Sequence, residues 1–288
     1  MKSILCSLCI LCCLLCSAQN SVSIPKDTAS VDTRAFAFAI VKDVDGNYEK
    51  AETLLNWLST HFNWLATDYQ SRTVKQIIVR QGGNCFEMAT VYMALLKDLN
   101  IKYRPIAEIN IHVYSDDREQ TSEQKIKENG NRMSVFGRQH NDHRWVEIFN
   151  DKTNEWIPAD PTMNLIGYEN WLKGRAWFGE RHTMNAEFNK DMIVPFAIFV
   201  VNKDNKNEMQ EDRSLFYLST KLDSLYNHEL SKLPSWNKWI DGVKALSVAA
   251  RNAFEGKENL HDYSSQISAL AKTYQSLKSE YLNNAGKN

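Results

Sequence analysis

The chain has 288 residues, with 34 Lys and Arg against 35 Asp and Glu and a formal charge of −1. That balance provides no basic excess for nucleic acid and no polybasic run for a membrane surface, and a chain of this length needs no staples to hold a core. Cysteine usage is lopsided: Cys6, Cys9, Cys12, Cys13 and Cys16 crowd the start, and Cys85 stands alone.

The first residues read as an export signal. Lys2 supplies the positive end, Ile4 to Leu15 the apolar stretch, and Ser17-Ala18-Gln19 a small-residue exit, with cleavage expected after Ala18. The apolar stretch is too short to span a bilayer, and no other run is long and apolar enough for a membrane helix. A lipidated cysteine is the rival reading, but Leu or Cys precedes each of the five early cysteines where a small residue is wanted. The expectation is an exported chain, periplasmic or secreted, with residues 1–18 removed. Loss of Lys2 makes the formal charge −2, and Cys85 is left with no intramolecular disulfide partner. The remainder suits one large domain or one domain with an appended helical part.

Apolar residues at helical spacing predict a helix over Tyr48 to Phe62, with Leu54, Leu55, Leu58 and Phe62 on one side. A second helix is expected from Thr73 to Arg80, stopped by Gly82-Gly83. The next opens at Asn84. Asn is a good N-cap, and Glu87 three residues later completes a capping-box pattern, which puts Cys85 in the first helical turn. Met88, Ala89, Tyr92, Leu95, Leu96 and Leu99 form its buried stripe.

Ile101 to Tyr114 is rich in Ile, Tyr and Val and reads as one or two strands. The polar stretch Ser115 to Asn141 is long for a plain connection. His143 to Phe149 alternates like a strand, Asn150 to Asn154 turns, and Glu155 to Asp160 returns, making a hairpin. With Asp151-Lys152 as the turn centre, His143 lies directly opposite Asp160, with Cβ atoms about 4.5–5.5 Å apart on one face. A four-residue turn shifts the pair by two and leaves them diagonal on that face; a one-residue slip would separate them. Trp171 to Phe178 is aromatic, and Ile193 to Val201 is apolar enough for a last strand or a buried connection. Asn202 to Asp212 is a polar run. The remainder reads as helical, with stripes at Leu218, Leu222, Leu225 and Leu230, at Trp236, Trp239, Val243 and Leu246, and at Tyr263, Ile267, Leu270, Tyr274, Leu277 and Tyr281. The last is a seam for another helix.

A thiol attacks as its thiolate, and two features here favour that form. The helix N-terminus presents unpaired amides and a positive dipole end to Cys85, and a nearby histidine can share the proton. His143 is that histidine, and Asp160 across the hairpin is correctly typed to orient its other ring nitrogen. The Cys85 N–H is a natural oxyanion donor. Together these residues describe acyl transfer through a thioester. Each also has a structural reading: an inert buried thiol, a satisfied strand histidine, a carboxylate capping the Pro161-Thr162 turn. Their joint arrangement favours the chemistry. Trp145 and Trp156 read as hairpin packing, Glu147 as a structural hydrogen-bonder, and Trp171, Trp177 and Phe178 as core or rim. A zinc site from His140, His143 and Cys85 lacks a fourth ligand. His61, His112, His182, His228 and His261 have no company that singles them out.

Three blocks, Gly83-Asn84-Cys85-Phe86-Glu87-Met88-Ala89, His143-Arg144-Trp145-Val146-Glu147 and Trp156-Ile157-Pro158-Ala159-Asp160-Pro161-Thr162, resemble those of the transglutaminase-like superfamily in order and spacing. Leu99 to Arg104 resembles the family's turn after the cysteine helix, with Asn100 where Gly is usual. The resemblance covers about Ala51 to Thr162. It implies an α+β fold with a papain-like transglutaminase core, a cysteine helix packed on an antiparallel sheet, expected at residues 19–201; the helical stripes beyond it add a helical C-terminal extension at 202–288. It also implies Cys85 as nucleophile, His143 as base and then acid, Asp160 as orienter, and Trp64 as an aromatic contributor to the oxyanion hole. Such members include cross-linking acyl transferases, peptidases, amidases and relatives without catalysis. The cross-linking eukaryotic ones depend on calcium, and the only calcium-like stretch, Asp43-Val44-Asp45-Gly46-Asn47, has Tyr48 and Leu54 where a calcium loop needs Gly and Glu, so it reads as an acidic turn. The resulting expectation is hydrolysis of a peptide or amide bond in a peptide or protein substrate, a cell-wall peptide included, with no metal or organic cofactor and no nucleic acid partner. Transfer to an amine, or a non-catalytic interaction module, are the alternatives. The oligomeric state is not legible.

Overall fold

The computed structural model describes residues 22–65, 68, 70–111, 142–176, 194–204 and 208–285. The export signal, the polar stretch from Ser115, and Trp177, Phe178, His112, His140 and His182 lie outside the described residues.

Helix α1 (Thr33–Ile40) opens on Asp32, whose side chain accepts from the Ala35 N–H at 3.0 Å. Its Ala-Phe alternation mimics a strand, which hides the helix from a periodicity reading. Helix α2 (Asn47–His61) follows the acidic turn, where Asp43 and Gly46 take positive φ and Asn47 donates to Asp151 at the hairpin tip. Helix α3 (Val74–Arg80) starts with a Thr73/Gln76 capping box and stops at Gln81, left-handed at φ 56°. The helix stop is therefore one residue earlier than the glycine pair. Gly82–Gly83 instead forms β2, parallel to β1 (Asn63–Trp64), and a Cβ on Gly82 would lie 2.3 Å from the Asn63 carbonyl oxygen. Glycine is needed there because two backbones touch.

Helix α4 (Cys85–Asp98) has the expected Asn84/Glu87 capping box, and Asn100 after it takes φ 58°. Asn tolerates the left-handed conformation usually given to Gly, which fits it to the turn that follows α4. Then come β3 (Tyr103–Asn110), β4 (Asp142–Asn150), β5 (Glu155–Asp160), β6 (Leu165–Ile166), helix α5 (Tyr168–Arg175), β7 (Pro195–Val201) and β8 (Met209–Asp212). These strands form one antiparallel sheet in the order β6-β5-β4-β3-β7-β8. Strand β8 lies inside the polar run, because as an edge strand it needs little apolar patterning.

A π-helical turn, Phe216–Lys221, runs into α6 (Leu222–Leu225), followed by α7 (Trp236–Phe254) and α8 (Ser264–Ala285). The Leu218 to Leu230 stripe is thus not one helix: the wider π turn and a 3-10 turn at Leu230–Lys232 interrupt it. The seam on α8 is filled by α7. Trp239 and Tyr274 pack with ring centroids 5.6 Å apart, and Gly242 leaves room for Leu270. Two apolar cores result. One joins α1 to α4 to Val146, Ile148, Ile157 and Ala159; the other joins β3, β7, Trp145 and Trp171 to α7 and α8.

Candidate active site

Cys85 is the first residue of α4 and is half-buried, with its thiol free. Its cap is built reciprocally: the Asn84 side chain accepts from the Glu87 N–H at 3.0 Å, and Glu87 accepts from the Asn84 N–H at 3.1 Å. The buried Glu87 carboxylate also meets Arg72 at 2.9 Å and Arg80 at 3.6 Å. Arg72 in turn pairs with Asp68, and its hydrogen bond holds the Asp68 carboxyl down at about 2. This network ties the chain before α3 to the start of the cysteine helix. The Cys85 amide is among those that a helix leaves without an internal partner. Trp64 pairs with Gly83, two residues before Cys85, and its side chain is 45 % exposed.

His143 and Asp160 come from neighbouring strands. The β4–β5 register pairs Asn150 with Glu155 and Val146 with Ala159, so the connection has four residues and the direct His143/Asp160 opposition is replaced by the diagonal one. The diagonal suffices: His143 Nε2 lies 2.6 Å from Asp160 Oδ2, with both side chains buried. Asp160 Oδ1 accepts from the N–H groups of Thr162 and Met163 at 3.0 and 3.3 Å, which fixes the carboxylate. Cys85 is the second group that acts on the His143 ring, through its side chain and its charge. Burial works against a charged imidazole, but the Asp160 charge and hydrogen bond, with the Cys85 contact, outweigh it and raise His143 from 6.5 to about 10. The fold therefore brings together a thiol, an imidazole and a carboxylate 58 and 17 residues apart in sequence.

The other residues singled out take structural places. Trp145 is buried and donates to Glu108 at 2.9 Å, Trp156 packs on Phe149 and Arg104, and Glu147 accepts from Arg104, Arg213 and Tyr217. His61 stacks on Trp57, and His228 meets Asp223 at 3.1 Å. Among the described residues no group of three or more His, Cys, Asp or Glu side chains could hold a metal ion, and no helix is long and apolar enough to cross a membrane. Two buried charges escape a sequence reading: Glu108, directly opposite His143 on β3, and its ion-pair partner Arg175. The signal was a lone charge inside the apolar run Ile106-Ala107-Glu108-Ile109.

A cavity of about 230 Å³ lies between α4 and the sheet, with Phe86, Met93, Tyr103, Val201, Arg144 and Lys203 in its wall. Phe86 and Arg144 follow Cys85 and His143 in the chain, and the Arg144 guanidinium sits 5.9 Å from the Phe86 ring. Neither Cys85 nor His143 lines it.

Residues 34–161 match the sequence profile of the Transglutaminase-like superfamily. No curated protein matches the chain. Among solved structures, similarity extends to a candidate cysteine protease from Cytophaga hutchinsonii, at 16% identity and TM-score 0.33 over 49% of this chain and 39% of that one. It also extends to the Rad4/XPC nucleotide excision repair complex, at 12% identity and TM-score 0.34 over 84% of this chain and 52% of that one, and to Rad4–Rad23 bound to a 6-4 photoproduct, at 12% and 0.32 over 88% and 52%. The chain spans about half or less of the length of these structures, and likeness at this level transfers no activity or partner. The profile match covers 128 of the 288 residues, and these hold Cys85, His143 and Asp160, so the likeness to the Transglutaminase-like superfamily falls on the part of the chain that builds the candidate site.

Proposed function

We propose that this chain is a thiol-dependent hydrolase of peptide or amide bonds, with Cys85 as nucleophile, His143 as base and acid, and Asp160 as orienter. The observation that carries the reading is the placement of one imidazole between the Asp160 carboxylate and the thiol at the start of α4. The Cys85 sulfur adds to the amide carbonyl, and the resulting oxyanion is met by the Cys85 N–H, with Trp64 as the second contributor. Collapse breaks the C–N bond as His143 gives its proton to the leaving amine, leaving a thioester. Water then adds while His143 takes its proton; the C–S bond breaks, and a carboxylic acid and free thiol are released. No metal or organic cofactor enters any step. Export through residues 1–18 belongs to the same proposal, and so does a substrate outside the cytoplasm, cell-wall peptides included; the N-terminus of the protein recovered from cells would test it.

The test is mass spectrometry of a glutaminyl peptide and a cell-wall stem peptide incubated with the protein, with and without a primary amine. The expected result is an acid product that Cys85→Ala abolishes. A product carrying the amine would move the assignment to acyl transfer, and no product from any amide tried, together with an unreactive thiol, would favour a binding module.

A further inference from the structure

Resting on the proposed roles of His143 and Asp160, the geometry points to Glu108 and Arg175 as positioning residues: a buried, charge-balanced pair that braces both side chains and keeps a second carboxylate from acting on the imidazole. Glu108 is 0 % exposed and is the register partner of His143, so their Cβ atoms lie about 4.5–5.5 Å apart on one face of the sheet. Glu108 accepts from Trp145 through one oxygen and pairs with Arg175 through the other. Arg175, 1 % exposed on α5, also donates to Asn110 and lies 3.4 Å from the Met163 sulfur. Met163 in turn donates its N–H to Asp160. One guanidinium thus links the strand opposite His143 to the turn that fixes Asp160.

A buried ion pair adds little net stability compared with apolar residues of the same volume, so stability alone is a poor account of this one. Its electrostatic effect is specific. Among the described residues, the charged and titratable groups facing His143 are Cys85 from α4, Asp160 from β5, and Glu108 from β3 with Arg175 from α5 behind it; Arg144, next in the chain, points to the other face and lies over Phe86 and Phe254. With Arg175 in place the Glu108 charge is cancelled, and the proton on His143 answers to Asp160 and Cys85.

The experiment is the ¹⁵N NMR titration of the His143 ring in the full chain, its signal assigned by its loss in His143→Gln. Glu108→Gln leaves Arg175 unbalanced and should lower the midpoint by about one pH unit, the size of one charge at this range in a medium of intermediate dielectric. Arg175→Met leaves Glu108 unbalanced and should raise it, and the double variant should return it to the wild-type value. Shifts of the same sign in both single variants, or an unmoved midpoint in Glu108→Gln, would overturn the assignment, since mere loss of packing has no sign. If Arg175→Met does not fold, Glu108→Gln and the double variant decide alone. Alkylation of Cys85 is read on the same samples: an inert wild-type thiol would sink the hydrolase reading and leave the meaning of the titration shifts intact.

Discussion

The β4–β5 hairpin carries two carboxylates with no exposed surface, Asp160 and Glu147, and they are used in opposite ways. Glu147 is surrounded by two guanidinium groups, Arg104 and Arg213, and by the Tyr217 hydroxyl, whose pKa burial pushes well up. Asp160 has two backbone N–H groups and one partner whose charge can change, His143. Equal burial therefore says nothing about role. What distinguishes the two places is whether the partner of the buried charge can exchange a proton, and whether a thiol stands near that partner.

The most severe way to break this comparison is to remove the groups one at a time. Cys85→Ala should abolish turnover of any amide substrate, and His143→Ala should cost about 10³-fold or more in kcat/KM, measured by steady-state kinetics, because acid–base help and thiol activation are lost together. Glu147→Ala should destabilise the fold by about 3–5 kcal/mol in urea unfolding, since two arginines lose a buried counter-charge, yet leave the pH profile of Cys85 alkylation unchanged. A shifted profile would mean the two carboxylates are not separate.

The comparison sharpens with pH. His143 is raised in the folded state, so its contribution to stability is fully present below about pH 6.5 and is lost as pH rises toward 10. Urea midpoints of the wild type and Asp160→Asn should therefore differ most near pH 6 and converge by pH 10, while Glu147→Ala should show a near-constant offset over that window. The smallest effect is expected at the helix cap: Asn84→Ala should cost about 1 kcal/mol of stability and slow alkylation only modestly.

Much of the site was legible before the fold. Asn84 and Glu87 three apart announced the start of α4, and the strand period put His143 and Asp160 on one face whether the turn held two residues or four. Local rules failed where long-range contacts decide. The Gly82-Gly83 pair read as a helix stop because glycine ends helices, but here it lets two backbones meet. Strand β8 has no alternation to reveal it, and the π turn after Phe216 broke a leucine stripe that looked continuous. Arg175 could not have been matched to Glu108 from sequence, because nothing local relates residues 67 positions apart.

The central claim is that His143 and Cys85 act as one proton-sharing pair, and the pH dependence of Cys85 alkylation by iodoacetamide, in the wild type beside His143→Ala, tests it most directly. Reactivity that persists to about pH 5 and disappears at that pH in the variant is the expected result. Alkylation that rises only near pH 8.5, as for an ordinary thiol, and is indifferent to His143 would contradict it.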